Sequence, residues 1–308
     1  MNPMAQTSIM LAVLAVLLAW PVPVLLARAR WAGRDPLTAL VLWQSIGLSG
    51  GLAMIGAGLV YAVSGISTRF PDGLGRLADM IWHGRLLTDL GPLRLIALAI
   101  ALILALRLLS VLILSVVQTV RHRRRHRQLL DILSRPSVDH PEARLLDHTA
   151  PVAYCLPGPR NTMVLSAGII DLLSKPELEA VIAHERAHLE WRHDLVILPF
   201  VSWHRALPWL RAATVAHQSI STLVEMLADD TAIRTVRPEV LASAIALVGR
   251  SEPPAGGFAL ASTATELRIQ RLTSPPRRLA AWNRAVVVLG ALALLAVPTV
   301  SLIVPFFP

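Results

Sequence analysis

Two histidines and a glutamate in the segment HERAH, at His184, Glu185 and His188, are the residues best suited to chemistry in this sequence. On a helix, residues four positions apart share a face, so both imidazoles can reach one metal ion. Glu185 then lies about 100° around the helix, beside the metal and not on it. In this H-E-x-x-H pattern a zinc ion lowers the pKa of its water toward ~7, and the glutamate takes the proton and later hands it to the leaving amine. The motif predicts Zn²⁺ and a hydrolytic base; the alternative is a pair of surface histidines on an amphipathic helix.

A catalytic zinc ion needs a third protein ligand and an open position for water. Seven downstream side chains are candidates: His193, Asp194, His204, His217, Glu225, Asp229 and Asp230. If the helix continued, His193 would lie about 140° off the ligand face, and we expect neither His193 nor His217 to affect zinc content much. Glu225 and Asp229 fit better because they share a face of the helical stretch 220–234, among apolar residues where a carboxylate needs a partner. One can bind zinc while the other accepts a hydrogen bond from a ligand histidine, and the spacing does not say which.

The elements that must position these residues are mostly helical. Ser174 followed by Glu177 forms a capping box with Pro176 in the first turn, which predicts a helix from Lys175. The segment 151–166 is predicted to be a hairpin around Pro157-Gly158-Pro159. Its second strand, 162–166, is either an edge that binds substrate as an added strand or part of the core sheet. The segment 251–257 is predicted to be a loop.

Composition places this chemistry in a membrane protein. The 308 residues are 54% hydrophobic and 16% charged, and a helix needs ~20 apolar residues to cross a bilayer. Four runs come close to that length or exceed it: 9–27, 37–66, 95–120 and 285–307. A soluble enzyme and a disordered chain are therefore excluded, and a β-barrel is disfavoured because the runs do not alternate. The lone Cys155 excludes an internal disulfide.

Arginine clusters predict the orientation. Arg28, Arg30 and Arg34 follow the first run, the segment 121–127 follows the third, and Arg277, Arg278 and Arg284 precede the fourth. Because such clusters stay in the cytoplasm, both termini and the loop 67–94 are expected outside. The segment 121–127 is interpreted as a lipid-facing anchor, and no direct nucleic-acid binding is expected because aromatic residues and a binding module are missing.

The predicted architecture is mainly α: three transmembrane helices in 1–120, a cytoplasmic α+β domain in 121–283, and a fourth helix in 284–308. Three smaller features lie within it. The segment 195–210 is too short to span and is expected on the membrane surface or over the site. Arg107 lies in the third span, which holds no acidic partner. Gly47 and Gly51 permit close helix packing.

The chain resembles the BlaR/MecR-type membrane zinc metallopeptidases, relatives of the HtpX and CAAX-prenyl endopeptidases. The resemblance rests on the H-E-x-x-H at 184–188, the E-x-x-x-D at 225–229, the segment RIQRL at 268–272 and the order of the apolar helices. It implies a zincin-like fold of the gluzincin type. It also implies that His184, His188 and Glu225 bind zinc, Glu185 is the base and Asp229 supports a ligand. The extracellular penicillin-binding domain of the β-lactam-sensing relatives is expected to be missing.

The expected function is a multi-pass zinc metalloendopeptidase of a bacterial cell membrane with a cytoplasmic catalytic domain. The resemblance implies a cytosolic protein substrate, such as a helix-turn-helix repressor. An HtpX-like quality-control protease acting on damaged membrane proteins is one alternative. A membrane sensor that binds zinc without hydrolysis is another, although a purely structural site needs no base such as Glu185.

Overall fold

The computed structural model describes residues 2–137, 140–158, 161–251 and 258–303, and the protein is mainly helical (76%) with one small sheet. Part of the predicted loop 251–257 and Pro159 of the predicted turn lie outside the described residues. The helices of the described residues are α1 (Pro3–Ala19), α2 (Pro21–Ala27), α3 (Pro36–Val63), α4 (Phe70–Trp82), α5 (Leu86–Asp89), α6 (Pro92–Leu133), α7 (Ala167–Leu172), α8 (Lys175–Glu190), α9 (His193–Ala206), α10 (Arg211–Ala232), α11 (Pro238–Ser251), α12 (Phe258–Thr273) and α13 (Ala281–Ile303). The strands are β1 (Ser134–Pro136), β2 (Ala143–Leu146), β3 (Ala153–Leu156) and β4 (Thr162–Ser166).

Among the described residues, four helical segments are long and apolar enough to cross a membrane, which confirms the predicted number. They are Pro3–Ala27, Pro36–Val63, Pro92–Leu133 and Ala281–Leu302. The first is interrupted at Trp20, because Pro21 lacks the N–H that would continue the helix. The third runs on through the basic segment 121–127 as part of a 42-residue helix. Each of these helices begins before its apolar run does, and the third also continues well beyond the end of its run.

The chain forms two compact units. The first contains the described parts of 1–113, 200–219 and 279–308. In it α3 packs against α1 and α13, and the Ser49 hydroxyl donates to the Leu294 carbonyl at 2.9 Å. Residues 200–219 join these helices because Phe200 and Trp203 lie against Gly47 and Gly51, where a Cβ atom would come within 3.3 and 3.0 Å of the aromatic rings. The two glycines thus accept aromatic side chains of α9.

The second unit contains the described parts of 114–199 and 220–278. Its sheet has the order β1-β2-β4-β3, in which β2 and β4 are parallel and the other pairs are antiparallel. The predicted hairpin is confirmed as β3 and β4. However, β4 is an inner strand and β3 is an edge, so of the two interpretations of 162–166 the core sheet is confirmed and the substrate-binding edge is wrong. Only the long-range pairing of Ala143 with Met163 decides this.

Helix α8 begins at Lys175 as predicted, with both capping-box hydrogen bonds present. It packs against β3 and α11, and with α7 and the sheet it encloses a core that includes Met163, Leu165, Ile169 and Ile182. The helix ends at Glu190, and Arg192 turns the chain with a φ of 48° before α9 starts at His193. This left-handed turn redirects the chain immediately after the histidine motif.

Candidate metal centre

Helix α8 brings the two motif histidines to one face, and α10 brings a carboxylate to them. The Nε2 atoms of His184 and His188 lie 3.1 Å apart. The Glu225 carboxylate is 3.3 Å from Nε2 of His184 and 3.5 Å from Nε2 of His188. One ligand atom from each of the three residues lies within 4.8 Å of the others. The structure therefore gathers the three residues that the family resemblance implies as ligands.

This group has the chemistry and spacing that a zinc ion requires. Two nitrogens bound to one tetrahedral zinc ion at ~2.05 Å are about 3.3 Å apart, close to the observed separation. Burial, with the neighbouring His184, lowers the pKa of His188 to about 4, so its imidazole is neutral at pH 7. Burial raises the pKa of Glu225, but His184 and Arg268 outweigh it and lower that pKa to about 2. His188 and Glu225 are therefore in the forms that bind metal. Burial lowers the pKa of His184, but Asp229 and Glu225 outweigh it and raise that pKa to about 9, so a bound ion would have to displace its second proton.

Asp229 lies behind His184, on the side away from the other two ligand candidates. Its Oδ1 is 2.9 Å from Nδ1 of His184, and its side chain is only 1% exposed. Burial raises the pKa of Asp229, but Arg268 and His184 bring it down to about 2. A carboxylate at this nitrogen holds the ring in the tautomer that leaves Nε2 free for metal. Glu225 and Asp229, which the spacing could not tell apart, thus occupy different positions around His184.

Arg268 of α12 holds both carboxylates. Its Nε and Nη2 atoms donate to the two oxygens of Asp229 at 2.8 and 2.9 Å, and its Nη1 lies 2.9 Å from Glu225. Such a two-point contact fixes the carboxylate plane as well as its charge. The sequence indicates Arg268 only as part of the segment RIQRL at 268–272, because nothing in its spacing from 225–229 predicts the contact.

His193 lies next to the motif, contrary to the prediction for a continuing helix. Its Nδ1 is 2.9 Å from Nδ1 of His188, and the residue is 2% exposed. The prediction was wrong because α8 ends and the chain turns at Arg192. When Nδ1 of His188 carries the proton and donates it to His193, Nε2 of His188 is unprotonated and the ring is oriented. No sequence pattern around Arg192 predicts this left-handed turn.

The other four candidates are not members of the three-residue group. Asp194 pairs with Arg123 at 3.0 Å, and Asp230 makes a two-point contact with Arg271. The rings of His204 and His217 stack on each other with centroids 5.9 Å apart, in the unit that holds the apolar helices. These residues are therefore engaged elsewhere.

Glu185 lies beside strand β3, where the backbone of Cys155 acts to lower the pKa of its carboxyl group. Burial and the nearby Glu225 raise the pKa of Glu185 to about 7, against the opposing effect of His184. A carboxylate with a pKa near neutrality can both accept and return a proton, as a general base must. Cys155 is not a nucleophile in this setting, because burial and then Glu185 raise the pKa of its thiol to about 12.

A cavity of about 280 Å³ adjoins the group. His184, Glu185, Glu225 and Arg268 line it, together with apolar residues of α7, α8 and α11. The site therefore combines converging metal-binding atoms, a half-buried carboxylate that can exchange a proton, and space for part of another molecule.

The family model of peptidase family M48 matches residues 119–275, just over half of the chain. The chain belongs to peptidase family M48. The matched segment contains the three candidate ligands, His184, His188 and Glu225. It also contains Glu185, Asp229 and Arg268. Together with the four apolar helices, the match makes this M48 protein a membrane metallopeptidase. M48 peptidases are typically zinc-dependent, in agreement with the His-His-Glu group. No curated protein and no solved structure matched the chain in our searches.

Proposed function

We propose that this M48 protein is a zinc endopeptidase of a bacterial cell membrane that cuts a cytosolic protein. The observation that carries the proposal is the convergence of two imidazole nitrogens and one carboxylate next to a half-buried Glu185. Each of these groups has the role that hydrolysis by an activated water requires.

In this proposal His184, His188 and Glu225 hold the ion, while Asp229 and His193 orient the two imidazoles. When bound, zinc would polarise the scissile carbonyl and make water more acidic. Glu185 takes a proton from the attacking water and returns it to the leaving amine, which completes cleavage without net proton change.

The proposed location of the site is cytoplasmic, with both termini outside and the catalytic part within 121–283. The three arginine clusters support this, because each would lie on the cytoplasmic side. The resemblance to BlaR/MecR-type peptidases supports a regulatory substrate such as a helix-turn-helix repressor. The M48 match is equally compatible with an HtpX-like enzyme that removes damaged membrane proteins.

The decisive variant is Glu185→Gln. We expect the purified, zinc-loaded variant to keep its metal and to lose hydrolysis of a denatured protein by roughly 100-fold or more, as expected for a missing general base. Metal content is measured by mass spectrometry and cleavage by gel. Loss of zinc together with activity would mean that Glu185 is a ligand. Zinc binding by a wild-type protein that cleaves nothing would favour the non-hydrolytic sensor.

Comparative proteomics of wild-type and Glu185→Ala cells then identifies the substrate class. A regulatory protease predicts that one or a few cleavage products disappear, including a fragment of a DNA-binding protein. Accumulation of many intact membrane proteins would instead indicate quality control.

A further inference from the structure

The basic segment 121–127 of α6 has two different faces. Three of its residues are half-buried: Arg123, His126 and Arg127. The other four are exposed: Arg121, His122, Arg124 and Arg125. Residues three and four positions apart lie on one side of a helix, so the half-buried residues form an inner face. An anchor on lipid headgroups uses only exposed arginines, and the inner face therefore has a different role.

Two residues of the inner face fix α6 against the sheet. Nε2 of His126 lies 2.6 Å from the hydroxyl oxygen of Tyr154 in β3. Arg127 donates to the carbonyl oxygen of Pro157, which directly follows the same strand. Because both contacts reach one strand, they oppose rotation of α6 about its axis. Arg123, one turn earlier on the same side of the helix, is thereby held in place as well.

The third residue of the inner face reaches the start of α9. Nη2 of Arg123 donates to Oδ2 of Asp194 at 3.0 Å, and the two side chains are only 25% and 18% exposed. A partly buried ion pair is screened much less by salt than a surface pair. Asp194 lies in the first turn of α9, directly after His193. The ion pair therefore holds the segment that carries His193.

We propose that Arg123 is a positioning residue of the metal site. It holds Asp194 and, through it, His193. Nδ1 of His193 in turn lies 2.9 Å from Nδ1 of His188, so the orientation of this candidate ligand depends on the start of α9. The chain reaches that position through Arg192 with a φ of 48°, a strained conformation that persists only where other contacts hold it. The ion pair between Arg123 and Asp194 is such a contact.

The helix that supplies Arg123 is the one that contains the third candidate span, Pro92–Leu133. The metal site thus takes one of its supports from a membrane helix and not only from the histidine helix α8. This inference rests on the proposed zinc peptidase and adds a residue, far from the motif in sequence, that its site requires.

The zinc affinity of the purified full-length protein in detergent, measured by competition with a chelating dye, tests this role. We expect Arg123→Gln to weaken zinc binding about 10-fold, the lower end of the range for residues that orient a ligand, because Arg123 acts from further away. Asp194→Asn should weaken it similarly. Arg123→Lys should recover most of the affinity, because a lysine can donate to the same carboxylate. Arg124→Gln, at the exposed neighbouring position, is the matched control and should leave zinc affinity unchanged.

A double-mutant cycle separates positioning from general destabilisation. If Arg123 acts through His193, Arg123→Gln should weaken zinc binding in the wild-type background but not in the His193→Ala background. The absorption bands of the Co²⁺-loaded protein give a second readout, because they report the geometry of the ligands. They should change with Arg123→Gln and not with Arg124→Gln. If Arg123→Gln does not fold, Asp194→Asn takes its place in the same cycle.

The outcomes distinguish this inference from the proposed function. Equal zinc affinities for Arg123→Gln and Arg124→Gln overturn the positioning role and leave the peptidase intact. The same loss of affinity in both His193 backgrounds also overturns it, because Arg123 would then only stabilise the fold. The expected order of affinities in a protein that cleaves nothing supports the positioning role and refutes hydrolysis. A wild-type protein that binds no zinc overturns both proposals.

Discussion

Each motif imidazole is supported at the nitrogen that faces away from the metal position. Oδ1 of Asp229 lies 2.9 Å from Nδ1 of His184, and Nδ1 of His193 lies 2.9 Å from Nδ1 of His188. Glu225 is the carboxylate that faces both Nε2 atoms. This geometry separates residues that bind the ion directly from residues that orient a ligand, and the two kinds should respond differently to mutation.

We predict that Glu225→Ala abolishes tight zinc binding because it removes a direct ligand. Asp229→Ala and His193→Ala should retain zinc with affinity weakened by about 10- to 100-fold, the usual effect of losing a residue that orients a ligand. His217→Ala is the control and should change affinity little. Zinc titration of the purified variants measures the order. If Asp229→Ala empties the site while Glu225→Ala only weakens it, the two roles are reversed.

At the level of elements, α9 connects α8, which carries the two motif histidines, to α10, which carries Glu225. Residues 200–219 of α9 and α10 belong to the unit of the apolar helices. Arg107 of α6 donates from Nε to the Ala206 carbonyl at 2.6 Å, and its guanidinium lies 5.4 Å from the centre of the Trp209 ring. The last carbonyls of a helix lack partners within it, and a cation there is favourable. This contact explains why Arg107 can lie in an apolar helix that holds no acidic residue to pair with it.

We predict that Arg107→Leu destabilises the detergent-solubilised protein by about 1–3 kcal/mol, because it leaves the buried Ala206 carbonyl unsatisfied. Arg107→Lys should restore part of the loss by donating to the same oxygen. Arg121→Leu, an exposed residue of the basic segment on the same helix, is the control. The measurement is the apparent thermal midpoint. Equal midpoints for Arg107→Leu and Arg121→Leu would show that the contact contributes nothing to stability.

For the whole molecule, the arginine clusters and the four apolar helices make one arrangement in the membrane favourable. Arg28, Arg30 and Arg34 follow the first span, and the third span leads directly into the basic segment 121–127. If both of these basic clusters are retained on the cytoplasmic side, the segment 67–94, which includes α4 and α5, must lie outside.

Fusions of paired reporters that are active on opposite sides of the membrane test this orientation. We predict cytoplasmic signals at Arg30 and Ser251 and external signals at Asp79 and Pro308, the last of which lies outside the described residues. Swapping the two reporters at each position provides the control. An external signal at Ser251 would overturn both the orientation and the proposal of a cytosolic substrate.

The features that sequence reasoning predicted correctly are local ones. The capping box placed the start of α8 at Lys175, and apolar length predicted four spans. Both depend on residues close together in the chain, through backbone hydrogen bonds and transfer of a continuous apolar segment out of water. The spacing within 184–188 likewise follows from the helical repeat alone.

Other features depended on contacts between distant segments. The left-handed turn at Arg192 brought His193 to His188, and the pairing of β2 with β4 made β3 the edge strand. Arg268 reaches Asp229 across 39 positions of sequence. Helical periodicity treats Glu225 and Asp229 alike, because it specifies a shared face and not what lies opposite that face. Only the packing of α8, α10 and α12 against one another gave the two carboxylates different neighbours.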